Sequence, residues 1–246
     1  MARRDEIVAY ANGLLEIDRF SEWAPQGMQV VGAEDVASIA CSVSCSREVF
    51  ERAVEGGAQL VIVHHGMFWR NEPLVVDARL RGRLEALFRG NVSLLAYHLA
   101  LDAHPTLGNN AQLAQRLDAS VDRPFVTVGL GCTIEPVDLA MLTRRVEDVV
   151  GRPPLVLAGG DHEVTRLAIC SGGSAPDLIQ AAHEGYDALL TGEPAEPSAS
   201  TARELGIHLI AAGHYATERF GVEALSSHVA ERFGLDWRFI DVENPV

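Results

Sequence analysis

The chain has 246 residues, 48% hydrophobic and 22% charged, which is enough apolar side chain for one large core or two smaller ones. Its formal net charge of −14 argues against the basic face with which duplex nucleic-acid binders displace counterions from phosphate. All 20 basic residues are arginine, which excludes a Schiff-base lysine, a Walker A lysine and a Ser-Lys dyad.

Ile7, Tyr10, Ala11, Leu14 and Leu15 share one face of a first amphipathic helix. This segment lacks the continuous apolar core of a signal peptide, and nowhere does the chain approach the ~20 apolar residues that span a bilayer. A cytoplasmic location is the expectation. The turn-rich APQGMQV precedes a strand near Ser38–Val43. Ser46 is a candidate N-cap for a helix carrying Val49, Phe50, Ala53 and Val54, which stops at Gly56-Gly57. There follow the apolar strand LVIV, a helix with Leu80, Leu84, Leu87 and Phe88 that stops at Gly90, and the strand SLLAY. Later come the helix DLIQAAHEG, the strand DALL, a helix ending at Gly206 and the strand IHLIAA. Short apolar strands alternating with helices predict an α/β fold with a largely parallel sheet covered on both faces. Cys41, Cys45, Cys132 and Cys170 form no CxxC pair and read as buried, reduced thiols.

Between Ser120 and Pro124 a polar turn is expected to lead into FVTVGLGCTIEP, whose alternation suits a strand with one exposed face. A second unit begins there on this reading. It carries a helix from Pro136 to Val150, the turn GRPP, the loop AGGDHE and the strand VTRLAICSGG. The expected organisation is therefore two α/β lobes. Residues 1–123 with 191–246 form the metal-site lobe from the amino- and carboxyl-terminal segments, and residues 124–190 are inserted, with no chemistry assigned to them.

Ligands of open parallel sheets bind where loops leave the carboxyl ends of the strands. LVIV runs into His64-His65-Gly66, SLLAY into His98, Asp102 and His104, DALL into Thr191-Gly192-Glu193, and LIAAG into His214 and Glu218. Adjacent strand residues point to opposite faces, so His64 and His65 serve one pocket only where the strand has ended, or else each takes its own ion. His214 and Glu218, four apart, share one face of a helix. The alternative is that His214 and Thr217 merely cap that helix, and that Asp102 is a turn or N-cap carboxylate. Imidazole with carboxylate suits zinc, iron, manganese, cobalt or nickel. Five ligands exceed what one catalytic zinc takes from protein, whereas two divalent ions ~3.5–4 Å apart use all of His64, His65, Asp102, His214 and Glu218. His98 and Glu193 are candidate proton carriers, and His98 and His104 can alternatively orient ligands or be structural. His162, His183, His208 and His228 read as structural or surface residues. AGGD and SGGS lack the GxGxxG spacing of a dinucleotide loop.

VIVHHGMFW, HLALDAHPTLGNNAQLA, DALLTGE and AAGHYATERFGVEAL resemble, in order and spacing, the signature segments of the GTP cyclohydrolase 1 type 2-like family, also called Nif-three-like, and the likeness is closest to its short bacterial members. The resemblance runs from PQGMQV to the terminal FIDVENPV. It implies a dinuclear metal centre on the same five residues and a toroidal homohexamer built as a trimer of dimers around a cavity. Many members have an aspartate after the first strand, where this chain has Ser44.

Three functions are compatible with these residues. The first is a metal-dependent hydrolase of a nucleotide-like small molecule, in which the ions activate water for attack on the imidazole ring of GTP and arginines such as Arg70 or Arg81 balance the substrate's charge. The second is a non-catalytic metal-binding ring that engages a partner. The third, a metallo-phosphoesterase, differs from the first in substrate.

Overall fold

The computed structural model describes residues 1–22 and 24–246. In chain order the elements are β1 (Ala2–Arg3), α1 (Arg4–Leu14), β2 (Gly27–Val30), β3 (Asp35–Val36), β4 (Ser38–Ser44), α2 (Arg47–Glu55), β5 (Leu60–His65), α3 (Ala78–Gly90), β6 (Ser93–Ala96) and α4 (Leu99–Asp102). They continue with α5 (Asn109–Arg116), β7 (Ser120–Phe125), β8 (Gly129–Val137), α6 (Leu139–Val150), β9 (Leu155–Leu157), β10 (Val164–Ile169), α7 (Leu178–His183), β11 (Ala188–Thr191), α8 (Ser198–Leu205), β12 (His208–Ala211), α9 (His214–Phe233) and β13 (Asp236–Phe239). The helix starts are made by short polar side chains. Ser46, Asp77 and Asp138 each accept a hydrogen bond from a backbone N–H in the first turn of α2, α3 and α6.

Two compact units form: Met1–His104 with Gly221–Glu243, and Pro105–Phe220 with Asn244–Val246. The first carries a five-stranded sheet in the order β13-β4-β5-β6-β2. All its pairings are parallel except that of β2 with β6. Its central strands are apolar on both faces because both faces are covered. Ala40, Val61, Val63 and Leu94 pack with Val49, Phe50, Ala53 and Leu87 from α2 and α3. The alternate residues Ile39, Cys41, Leu60, Ile62 and Leu95 are buried as well.

The second unit holds a six-stranded mixed sheet, β7-β8-β10-β11-β12-β9, in which only β10-β11 and β11-β12 are parallel. Cys132, Leu167, Ile169, Leu190 and Ile210 pack on one side with Leu142, Val146 and Phe220, while Ala168, Leu189 and Leu209 pack on the other with Leu178, Ala181 and Ala202.

Three expectations change. The polar stretch from Ser120 is strand β7, paired antiparallel with β8, and the turn follows at Val126, whose φ is +45°. Its side chains are exposed up to Phe125, so no alternation marks it as a strand. The compact units divide at His104–Pro105 and Phe220–Gly221, not at residues 123–124 and 190–191, because β11 pairs in parallel with β10, and β12 with β11, in the second sheet. Consequently the four strands taken to end at one sheet edge belong to two sheets, β5 and β6 to the first and β11 and β12 to the second.

Candidate metal centre

In the first unit, β5 continues through both histidines and pairs His65 with Ser44 at the end of β4. The strand therefore does not end before the pair, yet the two rings are neighbours, 4.9 Å apart between centroids and tilted by 43°. His64 is fully buried, and its Nδ1–H donates to the Tyr97 carbonyl at 2.9 Å. That bond fixes the tautomer and leaves the lone pair on Nε2, which lies 3.4 Å from Asp102 Oδ2 at the end of α4. His65 Nδ1 lies 3.2 Å from Ser44 Oγ, so Ser44 touches a candidate ligand. His98 precedes α4 and holds the Glu22 carboxylate at 2.7 Å through Nδ1. His64, His65 and His98 each offer a ligand atom, all within 4.8 Å of one another, and can hold a metal ion.

The turn after β5 is pinned by residues that carry no obvious motif. Gln29 Oε1 accepts from the Met67 N–H at 2.7 Å, and Trp69 Nε1 donates to the Gly66 carbonyl at 2.9 Å. A Cβ on Gly66 would come within 2.3 Å of the Gln29 side chain, which is why the turn takes glycine. Trp69 then stands edge-on to His98, with centroids 5.2 Å apart.

In the second unit, Gly213 with φ +98° turns the chain from β12 into α9, whose first residue is His214. One helical turn on, Glu218 Oε2 lies 3.0 Å from His214 Nε2, while Glu193, just after β11, contacts His214 Nδ1. Burial disfavours the charged ring, but the hydrogen bond and charge of Glu218, then those of Glu193, outweigh it and raise His214 to about 9. Thr217 donates to the Gly213 carbonyl at 2.9 Å and accepts from the Gly172 N–H at 3.1 Å.

The sequence assigns no chemistry to the loop Ser171–Ser174, yet it walls this group. Ser171 N–H donates to Asn110 Oδ1 at 2.8 Å, and Ser174 N–H donates to Thr191 Oγ1 at 3.1 Å. Thr191 Oγ1 in turn donates to the Gly172 carbonyl at 3.0 Å. Gly172 adopts φ +68° and leaves the space that Glu218 and His214 occupy. The sequence signal was the GG itself, between a strand and a helix.

Donor chemistry in both groups fits a divalent cation. Ligands of one tetrahedral ion with bonds of about 2.0–2.1 Å stand roughly 3.4 Å apart. The His64–Asp102 and His214–Glu218 donor pairs are at 3.4 and 3.0 Å.

The other histidines lie elsewhere. His228 meets the Tyr10 hydroxyl at 2.7 Å, and burial followed by the charge of His228 holds His104 below the usual histidine range. His208 is fully buried, accepts from the Gly159 N–H at 3.1 Å and stacks on His162. Arg81 pairs with Glu85 along α3. The four cysteines are buried and form no disulfide among the described residues, and burial pushes Cys45 and Cys132 up to about 12. Among the described residues no helix is long and apolar enough to cross a membrane.

A family model described as Duf34/NIF3 (NGG1p interacting factor 3) matches residues 2–245. A Pseudomonas aeruginosa protein named GTP cyclohydrolase 1 type 2 homolog is 43% identical over 246 residues, 97% of each chain. A solved structure described as "protein ybgI, unknown function" covers all of both chains at 40% identity with a TM-score of 0.96. TTHA1606 from Thermus thermophilus does so at 35% identity with a TM-score of 0.93. With a whole-length family match and relatives above 40% identity, the chain is a member of the Duf34/NIF3 family.

Proposed function

We propose that this protein is a divalent-metal-dependent hydrolase of a nucleotide-like small molecule, with the imidazole ring of GTP as the first bond to test. Two ions, drawn from zinc, iron, manganese, cobalt or nickel, are held by His64, His65, Asp102, His214 and Glu218. The observation that carries this reading is that each unit presents an imidazole–carboxylate donor pair at ligand spacing, 3.4 Å for His64–Asp102 and 3.0 Å for His214–Glu218. Five such ligands suit two ions better than one. The naming of relatives as GTP cyclohydrolase 1 type 2 homologs supports the choice of substrate.

When bound, the ions supply an activated water and a Lewis acid. The chain orients the ligands and handles protons. Tyr97 and Ser44 fix the rings of His64 and His65, and Glu193 holds that of His214. Glu193 and His98, each in a carboxylate–imidazole pair, are the groups proposed to carry protons. A cytoplasmic location suits four buried thiols that form no disulfide among the described residues.

A non-catalytic metal-binding ring is the second reading. It is favoured by the depth of the donors, since His64 is fully buried and Asp102 and Glu218 nearly so. It is favoured also by exposed Phe68, Leu74, Val75 and Val76 after the histidine pair, apolar surface suited to a subunit or partner contact. Met67 of the same stretch is buried within its own unit and takes no part in that surface. Both readings include a homohexamer, a trimer of dimers, and light scattering coupled to size exclusion measures it.

The deciding experiment incubates metal-reconstituted protein with GTP and a nucleotide panel, separating ring-opened product from released phosphate. Metal-dependent ring opening supports the hydrolase. Phosphate release alone points to a phosphoesterase, and absence of turnover by the fully loaded protein points to the scaffold.

A further inference from the structure

His98 is placed more elaborately than a bystander histidine needs. It sits between β6 and α4 with φ −105° and ψ −107°, its ring centroid 4.9 Å from that of His64 and 5.5 Å from that of His65. The Glu22 side chain that holds its Nδ1 is 3% exposed, and Glu22 Oε1 is buried with no hydrogen-bond partner among the described residues. A buried carboxylate with a single satisfied oxygen is destabilising unless positive charge stands close by. An imidazole bound to a cation supplies that charge, and the carboxylate–histidine–metal arrangement is a recurrent one.

The second unit repeats the device, because Glu193 holds Nδ1 of His214 just as Glu22 holds Nδ1 of His98. Around His98 all three rings are anchored through Nδ1: His64 by the Tyr97 carbonyl, His65 by Ser44 and His98 by Glu22. In His64 and His98 the acceptor is an oxygen that can only receive a proton, so the lone pair falls on Nε2.

We propose that His98 is itself a metal ligand and Glu22 its positioning residue, so that His98 joins His64, His65 and Asp102 as the donors of a metal site in the first unit. This site takes one zinc-like divalent ion without His214 or Glu218, and proton carriage then falls to Glu193. The proposal rests on the assignment of His64 and His65 as ligands above.

The test measures zinc stoichiometry and affinity on the full chain by calorimetry and elemental analysis. The background is the double variant His214→Ala/Glu218→Ala, which removes the second unit's donors. The expected result is about one zinc per chain in the double variant. Adding His98→Ala should abolish it, and adding Glu22→Gln should weaken it tenfold or more. Glu22→Gln should also shift the visible absorption of the cobalt(II)-loaded double variant while leaving its melting temperature unchanged, which a merely structural role for Glu22 would not produce. Retention of zinc with unchanged affinity after His98→Ala overturns the proposal. So does a double variant that binds no zinc while the unaltered chain binds two, an outcome that leaves the five-ligand reading standing. An unaltered chain that binds no zinc overturns both.

Discussion

Gly172 stands where any side chain would strike Glu218: a Cβ built on it falls 2.2 Å from Glu218 Oε1, on a backbone with φ +68°. Glu218 is buried, so it can yield only by leaving its place beside His214. Gly172→Ala is therefore expected to lower metal affinity at least tenfold. The left-handed backbone adds a stability loss of about 1–2 kcal/mol. Calorimetric zinc titration and urea unfolding measure the two effects separately, and unchanged affinity would show that Glu218 is not a ligand.

Asn110 holds the same loop from beneath, accepting from Ser171 N–H and donating to the Val128 carbonyl at 2.9 Å. Asn110→Ala takes this partner from the buried Ser171 N–H and the part-buried Val128 carbonyl, a loss of about 1–3 kcal/mol. Because the loop walls the His214–Glu218 pair, metal affinity should fall with stability. Urea unfolding of the metal-free variant gives the first number and zinc titration the second.

His214 sets the pH dependence of metal uptake. In the metal-free chain it titrates near 9, above its unfolded value of about 6.5. Its contribution to stability is thus complete below about 6.5 and is lost as pH rises through 9. A cation must displace that proton. Zinc uptake near pH 7.5 should release it, visible as a binding heat that changes between buffers of different ionisation enthalpy. A heat independent of buffer would contradict the role assigned to His214.

His208 runs with the opposite sign. Burial, outweighing its hydrogen bond to the His162 carbonyl, holds it below the usual histidine range. The stability tied to its neutral form is present above about pH 6.5 and is lost as pH falls through the folded value. Metal-free protein should therefore unfold at lower urea as pH drops from about 7 to 5, and His208→Gln should flatten that slope. An identical slope in the variant would remove His208 from the account.

How much was legible in the sequence follows from where each signal resides. The first sheet could be read because β4, β5 and β6 are buried on both faces and appear as unbroken apolar runs, with Ser46 and Gly56-Gly57 marking one of its helices. β7 could not, since its exposed residues and Pro124 carry neither alternation nor an apolar run. Strand partners are not encoded locally, so DALL and IHLIAA look alike whichever sheet they join, and the unit boundary was misplaced with them. At the site, polar residues at strand ends stood out. Glu22, Gln29 and Asn110 did not, because a single polar residue far away in sequence announces its hydrogen bond only once the chain is folded.

The central claim is that five residues hold two divalent ions per chain, and elemental analysis of protein reconstituted with zinc, manganese, iron or cobalt and freed of excess metal tests it most directly. The account predicts close to two ions per chain. It also predicts marked loss of metal in Asp102→Ala and Glu218→Ala, with occupancy kept in His183→Ala and His228→Ala, the latter losing stability only through its Tyr10 contact. A value near zero in the unaltered chain, or equal occupancy across the four variants, would contradict it.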